Sequence, residues 1–167
     1  EIAGPMLAAR VDALPRVTWQ GGELRRHGDR LMAALPAATA APGPIGVGGD
    51  WDWRKRPWLR LAGGAALGLI ADRHGDVDLS SLPCPLRVDF RQGGERLHEA
   101  HGRLPLKDLL QARGIAPWER AAVPLLRDQA RIVAVADLWL DAAYRADGRT
   151  GGARGRLRWR QPSIGAA

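Results

Sequence analysis

Two histidines, His98 and His101, lie three residues apart in the segment HEAHG. In a helix this spacing would bring both imidazoles to one side, where they could bind a metal ion. The order is not H-E-x-x-H, however, and Gly102 follows at once, so a solvated loop is the favoured interpretation. Two aspartate pairs, at positions 50 and 52 and at 76 and 78, could hold Mg²⁺, but each lies beside glycine in a predicted turn. We therefore predict no metal ligands.

The chain also lacks a pattern for a nucleophile or a bound nucleotide. The serines are Ser80, Ser81 and Ser163, and none lies in a G-x-S-x-G context. Neither G-x-x-x-x-G-K-[ST] nor G-x-G-x-x-G occurs, and VGGD at 47–50 lacks the lysine and serine of a phosphate loop. The single cysteine can form no internal disulfide, so a reducing cytoplasm is the simplest setting. We predict no catalytic and no cofactor-binding residues in this chain.

The segment FRQGGERL, residues 90–97, places two glycines among charged side chains. A glycine pair of this kind can cradle a phosphate or turn the chain sharply at the end of a strand. A strand is predicted before it and no helix directly after it, so a strand-ending turn is favoured. Its arginines, Arg91 and Arg96, are then either nucleic-acid contacts or ion-pair partners of Glu95.

Arginine dominates the charge of the chain. Lysine and arginine outnumber aspartate and glutamate by 25 to 18, for a net charge of +7, and Lys55 and Lys107 are the only lysines. The tail from Arg145 to Arg160 has six arginines against one aspartate. Neutralising phosphates with such residues is the usual source of nucleic-acid affinity, whereas a solubilising surface with ion pairs is the alternative. The charge therefore favours a nucleic-acid partner.

The hydrophobic pattern predicts an α+β fold of layered β-sheets with two short helices, and no stretch approaches the roughly 20 apolar residues of a membrane span. A meander is predicted over 17–34, a loop over 36–50, and further strands at 58–62, 65–71, 85–92 and 154–161. Residues 131–139 are predicted to form one strand, or two with a kink near Asp137. One helix is predicted at 104–114, where Leu106, Leu109 and Leu110 share a face. A second is predicted at 117–123, which begins at one proline and ends before another.

The seven tryptophans allow either a stacking platform for bases or a hydrophobic core. Those in apolar segments are predicted to be core residues: Trp19, Trp118 and Trp139. Those beside the basic run at 54–56 are predicted to be partly exposed: Trp51, Trp53 and Trp58.

Several short motifs follow one another between residues 86 and 144. They are Arg91-Gln92-Gly93-Gly94-Glu95-Arg96, Leu106-Lys107 with Leu109-Leu110, Pro117-Trp118-Glu119-Arg120, Pro124-Leu125-Leu126 and Leu138-Trp139-Leu140-Asp141. In order and spacing this stretch resembles the C-terminal domain of tRNA(Ile)-lysidine synthetase. It departs from that family in two places. The family often has a second lysine directly after the position of Lys107, where this chain has Asp108, and the family's basic loop is replaced here by HEAHGRLP.

The resemblance implies a domain over 14–160 that binds tRNA, with 86–144 as its best-matched core. Residues 1–13 would be a linker or the end of a preceding domain, and 161–167 a tail. The fold would be shared with a module of the phenylalanyl-tRNA synthetase β chain. Eight cations are the expected tRNA contacts: Arg91, Arg96, Arg103, Lys107, Arg113, Arg120, Arg156 and Arg158.

The resemblance also implies what this chain does and what it leaves to another domain. The family enzyme is a cytoplasmic ligase of tRNA modification, which uses ATP and Mg²⁺ to join lysine to cytidine 34 of a minor isoleucine tRNA. Its catalytic Ser-Gly-Gly-x-Asp-Ser loop is absent here. The implied role is therefore non-catalytic recognition of the tRNA body, with the acceptor stem as the expected contact. A structural or dimerisation role with little RNA contact is the alternative, so a homodimer stays open.

Overall fold

The computed structural model describes residues 15–20, 22–27, 30–34, 49–100, 102–147 and 152–161. The chain divides into two compact units, Glu1–Gly43 and Pro44–Ala167. The domain predicted over 14–160 thus includes residues of both units. The predicted linker over 1–13 lies outside the described residues, as does the predicted tail except for residue 161.

The described part of the first unit is a three-stranded antiparallel meander. Its strands are β1 (Arg16–Trp19), β2 (Gly22–His27) and β3 (Arg30–Ala34), which confirms the three strands predicted there. Glu23 is buried, and its carboxylate binds the guanidinium groups of Arg16 and Arg25. Trp19, predicted as a core residue, is instead 44% exposed. Its ring occupies the space that a Cβ would need at Gly22, its partner on β2.

The second unit is built mainly of strands. They are β4 (Gly49–Trp51), β5 (Trp58–Arg60), β6 (Ala66–Ala71), β7 (Val77–Asp78), β8 (Leu86–Phe90), β9 (Arg96–Glu99), β10 (Gly102–Pro105), β11 (Pro124–Asp128), β12 (Arg131–Val135), β13 (Trp139–Leu140) and β14 (Arg154–Arg160). Short 3₁₀ helices lie at Ala62–Gly64, Arg120–Ala122 and Ala142–Tyr144. Helix α1 (Leu106–Ala112) is the only α-helix among the described residues. None of the helices described here is long and apolar enough to cross a membrane.

The strands of the second unit form two sheets and a separate hairpin, and every pairing is antiparallel. The larger sheet has the order β13-β12-β11-β8-β4, and the smaller has the order β5-β6-β14-β7. β9 and β10 pair only with each other among the described strands. Four of these described pairs consist of strands that follow each other directly in sequence, and such antiparallel pairs can be joined by short turns: β5–β6, β9–β10, β11–β12 and β12–β13.

The five-stranded sheet carries a hydrophobic cluster on each face. Leu126 of β11 belongs to the cluster shared with the four-stranded sheet, together with Leu67 and Leu157. The adjacent Leu125 belongs to the cluster formed with α1 and the β9–β10 hairpin. Successive residues of a strand point to opposite faces, so the sheet is the middle of three layers.

Three predicted elements differ from the structure. The helix predicted over 117–123 is a turn followed by the 3₁₀ helix at Arg120–Ala122. Val123 is extended, with φ −72° and ψ 117°, because the residue before a proline is disfavoured in the α conformation. The loop predicted at HEAHGRLP is largely the β9–β10 hairpin, which buries Leu97 completely. Gly49 and Asp50, predicted as the end of the 36–50 loop, begin β4.

The burial of the tryptophans also differs from the prediction. Trp51 and Trp53, expected to be partly exposed, are core residues. Their indole N–H groups donate to backbone carbonyls of Arg56 and Pro83, both at 2.7 Å, which removes the cost of burying a polar tip. Trp139 is buried as predicted, and Trp118 and Trp58 are half-buried. The core interpretation of the tryptophans is therefore favoured over a stacking platform.

The burial of α1 predicts the effect of truncating its apolar face. Leu110→Ala should lower the free energy of unfolding by about 2 to 5 kcal/mol, because Leu110 is fully buried and the substitution leaves a cavity. Gln111→Ala, at the neighbouring exposed position of the same helix, should change it by less than about 0.5 kcal/mol. Urea denaturation measures both, and similar losses in the two variants would contradict the packing described here.

Candidate nucleic-acid interface

The segment FRQGGERL forms the turn after β8, and its centre is the carboxylate of Glu95. Gly93 and Gly94 adopt φ values of 112° and 82°, which favour glycine. The Glu95 carboxylate accepts hydrogen bonds from the backbone N–H groups of Gln92 and Gly93, the latter at 2.9 Å. These N–H groups are the ones that a phosphate cradle would need. The strand-ending turn is thus confirmed, and a carboxylate of the chain itself fills it.

Glu95 also accounts for one of the two arginines in this segment. The Arg91 guanidinium lies 3.9 Å from the Glu95 carboxylate, so Arg91 is its ion-pair partner. Burial favours the neutral form of Glu95, but the backbone N–H groups of Gln92, Gly93 and Glu95 itself, together with Arg91, outweigh it and lower the pKa of Glu95 below its ordinary value. The carbonyl of Glu95 accepts from the N–H of Leu106 at 3.0 Å, which ties the turn to the start of α1.

The β9–β10 hairpin presents its basic side chains on one face. Leu104 pairs with Leu97, and both contact the cluster under α1. The alternation of a strand places the intervening residues on the other side. Arg103 pairs with His98 there, and Arg96 lies two residues before His98; all three are exposed. One face of the hairpin is therefore apolar and contacts the cluster under α1, and the other face is cationic.

These side chains form one wall of an open cleft of about 500 Å³. The other wall comes from β11, the turn after it and the start of β12, with Arg127, Ala130, Arg131 and Ile132. We call this space the arginine cleft. Its lining residues are Gly94, Glu95, Arg96, His98, Arg103, Arg127, Ala130, Arg131 and Ile132.

The four arginines of the cleft fall into two kinds. Arg131 donates from Nε and Nη2 to the two carboxylate oxygens of Asp141, at 2.8 and 2.9 Å. Arg127 lies 3.5 Å from the carboxylate of Asp89. Arg96 and Arg103 make no ion pair with any residue that the structure describes. One pair of guanidinium groups is thus held by carboxylates, and the other is left to bind an external anion.

Asp141 has a second hydrogen-bond partner besides Arg131. Its carboxylate also accepts from the N–H of Ala143 at 3.0 Å, which caps the 3₁₀ helix that follows. Burial favours the neutral form, but the hydrogen bonds from Arg131 and Ala143 outweigh it, so the pKa of Asp141 lies below its ordinary value of 3.8. The hydrogen bonds that Arg131 donates to Asp141 raise the pKa of Arg131. Arg131 is therefore a fixed cation at the edge of the cleft.

The remaining predicted tRNA contacts do not gather at the cleft. Lys107 and Arg113 are exposed on α1 and at its C-terminal end. Arg120 donates to the carbonyl of Ile115 at 2.9 Å, a bond within the turn. On the four-stranded sheet, Arg156 binds the Asp72 carboxylate and the His74 carbonyl, each at 2.8 Å, and Arg158 is exposed. Of the eight, only Arg96 and Arg103 line the cleft together.

Sequence reasoning missed half of the cleft. The charge and strand patterns assign no role to Arg127 and place Arg131 only at the start of a predicted strand. The available signal was their placement: Arg127 is followed by a short turn in which Gln129 has φ 50°, and Arg131 begins the next strand. Antiparallel strands joined by such a turn bring the residues on either side of it close together.

The aspartates considered as metal ligands have backbone roles where the structure shows a partner. Asp52 accepts from the N–H of Lys55 at 3.1 Å, and Asp78 accepts from the N–H of Ser80 at 2.9 Å. These bonds confirm the backbone hydrogen bonding expected of the two aspartates; Asp52 precedes a turn, and Asp78 is the last residue of β7. The described residues contain no group of three or more His, Cys, Asp or Glu that could hold a metal ion. His98 lies in β9, and His101 lies outside the described residues.

Comparison with known proteins identifies the class of this domain. The family model of the TilS substrate C-terminal domain matches residues 86–159, which contain the arginine cleft. The tRNA(Ile)-lysidine synthase of Alkalilimnicola ehrlichii is 38% identical over 135 residues, which cover 80% of this chain and 29% of the relative. The tRNA(Ile)-lysidine synthase of Xylella fastidiosa strain Temecula1 is 40% identical over 142 residues, which cover 82% of this chain and 30% of the relative. A crystal structure of a TILS C-terminal domain, at 26% identity, covers 62% of this chain and 88% of that chain with a TM-score of 0.45.

The chain belongs to the tRNA(Ile)-lysidine synthase family. It spans about 30% of the length of the curated relatives it matches. The kinship with the phenylalanyl-tRNA synthetase β chain stays a prediction.

The Asp141–Arg131 pair predicts a pH-dependent contribution to stability. Asp141→Asn should lower the free energy of unfolding at pH 7 by about 1 to 2 kcal/mol, because the charge-assisted bonds are lost while Arg131 keeps some water. The pKa of Asp141 is depressed in the fold, so its contribution is complete above the unfolded pKa near 3.8 and is lost as the pH falls through the folded pKa. The difference between wild type and variant should therefore shrink on acidification.

Urea denaturation at a series of pH values measures this difference. Asp76→Asn, at an exposed position, serves as the control and should change the unfolding free energy by less than about 0.5 kcal/mol at every pH. A gap for Asp141→Asn that stays constant down to pH values below the folded pKa would show that the charge of Asp141 contributes nothing.

Proposed function

We propose that this chain is the tRNA-holding region of a tRNA(Ile)-lysidine synthetase that acts in the cytoplasm on a minor isoleucine tRNA. The observation that carries the proposal is the arginine cleft, in which Arg96 and Arg103 have no ion-pair partner among the described residues. Uncompensated guanidinium groups on a formed strand pair can fork onto phosphate oxygens at little cost in ordering. The names of the family and of its relatives, given above, support tRNA as the nucleic acid.

The acceptor stem is the part of the tRNA that this surface suits. An A-form stem is recognised mainly by shape and by its phosphates and 2′-hydroxyls, not by base edges in a deep groove. The β9–β10 hairpin offers spaced cations on a strand surface, and Lys107 and Arg113 extend the positive charge along α1. Such an arrangement reads backbone geometry and needs no base-specific side chain.

The chemistry of lysine ligation belongs to another part of the enzyme in this proposal. ATP and Mg²⁺ would be used by a catalytic domain that carries the Ser-Gly-Gly-x-Asp-Ser loop. The residues of this chain do not fit those groups: the loop is absent from the sequence, and the turn at 91–96 gives its N–H groups to Glu95. Its own residues bind and orient tRNA so that cytidine 34 reaches the catalytic domain.

A structural or dimerisation role is the second candidate, and one observation favours it. Trp19 and Leu31 are 44% and 53% exposed, and the register of the meander places both on the same face. An exposed apolar face of this kind commonly marks a contact with protein. Light scattering of the 167-residue chain would detect a dimer. If the dimer uses this face, the Leu31→Ser substitution should dissociate it into monomers.

Salt-dependent tRNA binding tests the first candidate. Arg96→Gln combined with Arg103→Gln should weaken binding of a minor isoleucine tRNA and lower the slope of log affinity against log salt by about 1 to 2, because two phosphate contacts are lost. Fluorescence anisotropy with labelled tRNA at several salt concentrations gives both values.

The matched control removes the same charge elsewhere. Arg56→Gln combined with Arg60→Gln changes two exposed arginines outside the cleft. If this control weakens binding as much as the cleft variant does, general charge holds the tRNA and the cleft does not. If the unsubstituted chain has no affinity for tRNA at low salt, the proposed function is wrong.

A further inference from the structure

We propose that the arginine cleft binds the phosphomonoester at the 5′ end of the tRNA, beyond any contact with the phosphodiesters of the stem. This inference rests on the proposed function, since it assigns one chemical group of the tRNA to one site. A 5′ phosphate is the end of the acceptor strand, so a surface that holds the stem lies within reach of it.

The shape of the cleft suits a chain end. It is an open depression of about 500 Å³ lined by arginines of two parts of the fold, Arg96 and Arg103 of the β9–β10 hairpin and Arg127 and Arg131 of β11 and β12. The phosphates of a continuous duplex follow one another at short intervals. A terminal phosphate has only one neighbour, so more of its surface is free to contact a group of side chains. Donors from the two parts of the fold can then reach different oxygens of the same phosphate.

The two unpaired arginines of the cleft suit a dianion. Arg127 and Arg131 have carboxylate partners in Asp89 and Asp141, and Asp128, the last residue of β11, interacts electrostatically with Arg131. Glu95 is matched by Arg91 and by two backbone N–H groups. Arg96 and Arg103 are the two guanidinium groups of the cleft without a carboxylate partner among the described residues. With Asp128 counted, these arginines exceed the carboxylates by one charge. A phosphomonoester carries close to two negative charges at pH 7 and exposes three acceptor oxygens, whereas a phosphodiester carries one negative charge.

The arginines of the β11–β12 wall are held in place before any ligand binds. Asp141 is 2% exposed and binds Arg131 through both oxygens, so the orientation of that guanidinium is set within the fold. Arg127 is restrained by Asp89. His98 pairs with Arg103 across the hairpin and adds a ring N–H donor to the hairpin wall of the cleft. A site ordered in advance loses less entropy on binding, which favours a small and highly charged group.

The test compares two forms of one tRNA. The minor isoleucine tRNA is prepared with a 5′-monophosphate and with a 5′-hydroxyl, and both are titrated against the 167-residue chain at constant ionic strength. The phosphorylated form should bind about 10-fold more tightly, as expected when charge-assisted hydrogen bonds are lost with the terminal phosphate. The Arg96→Gln/Arg103→Gln variant should bind the two forms equally. The Arg56→Gln/Arg60→Gln control should keep the preference.

Each contrary result has a distinct meaning. Equal, salt-dependent affinities for the two forms would overturn the 5′-phosphate site and leave the proposed function standing, whereas no affinity for either form would overturn both. A preference that persists in the cleft variant would place the phosphate elsewhere and overturn the assignment. Inorganic phosphate is the remaining arm. If it stabilises the chain against unfolding while the two tRNA forms bind equally, the cleft is a site for free phosphate and the assignment to a tRNA end is wrong.

Discussion

The five-stranded sheet has to bury both of its faces, and this constraint determines where charge can lie in the second unit. β11 and β12 contribute apolar side chains to both clusters, so their sequences read as nearly continuous apolar runs. Charged residues are then confined to the ends of these strands. Arg127 and Arg131 stand at such ends, on either side of one turn. The position of Arg127 and Arg131 in the arginine cleft thus follows from the burial of both faces of the sheet.

Carboxylates decide which arginines are available to a ligand. Glu95, Asp89 and Asp141 each engage a guanidinium group, and Glu95 and Asp141 also bind backbone N–H groups in the turns they occupy. Such bonds fix the local backbone and remove a positive charge from the surface field. The net charge of +7 therefore overstates what a nucleic acid meets at any one place. What matters is the small number of guanidinium groups that the fold leaves without a carboxylate.

The sequence indicated the strands and α1 well because their apolar periodicity is local. Leu106, Leu109 and Leu110 recur at helical spacing, and all three are buried. The β9–β10 hairpin was not recognised because each of its strands has four residues and charged or small side chains interrupt the alternation. The burial of Trp51 could not be inferred beside a basic run, since it depends on a carbonyl that the turn at 52–56 brings to the indole. The ion pair of Arg156 depends on Asp72, which is remote in sequence.

Strand β14 has a consequence for the order in which this unit can assemble. Ala66 pairs with Arg160 and Ala71 with Gly155, so the centre of the four-stranded sheet joins two distant parts of the chain. Closing a long loop costs entropy before its contacts are made, and sheets of this topology form slowly. On the ribosome, Leu67 and Leu69 would emerge long before the strand that covers them. The four-stranded sheet would thus close late in synthesis or after release, and a product truncated before β14 would expose an apolar strand to other chains.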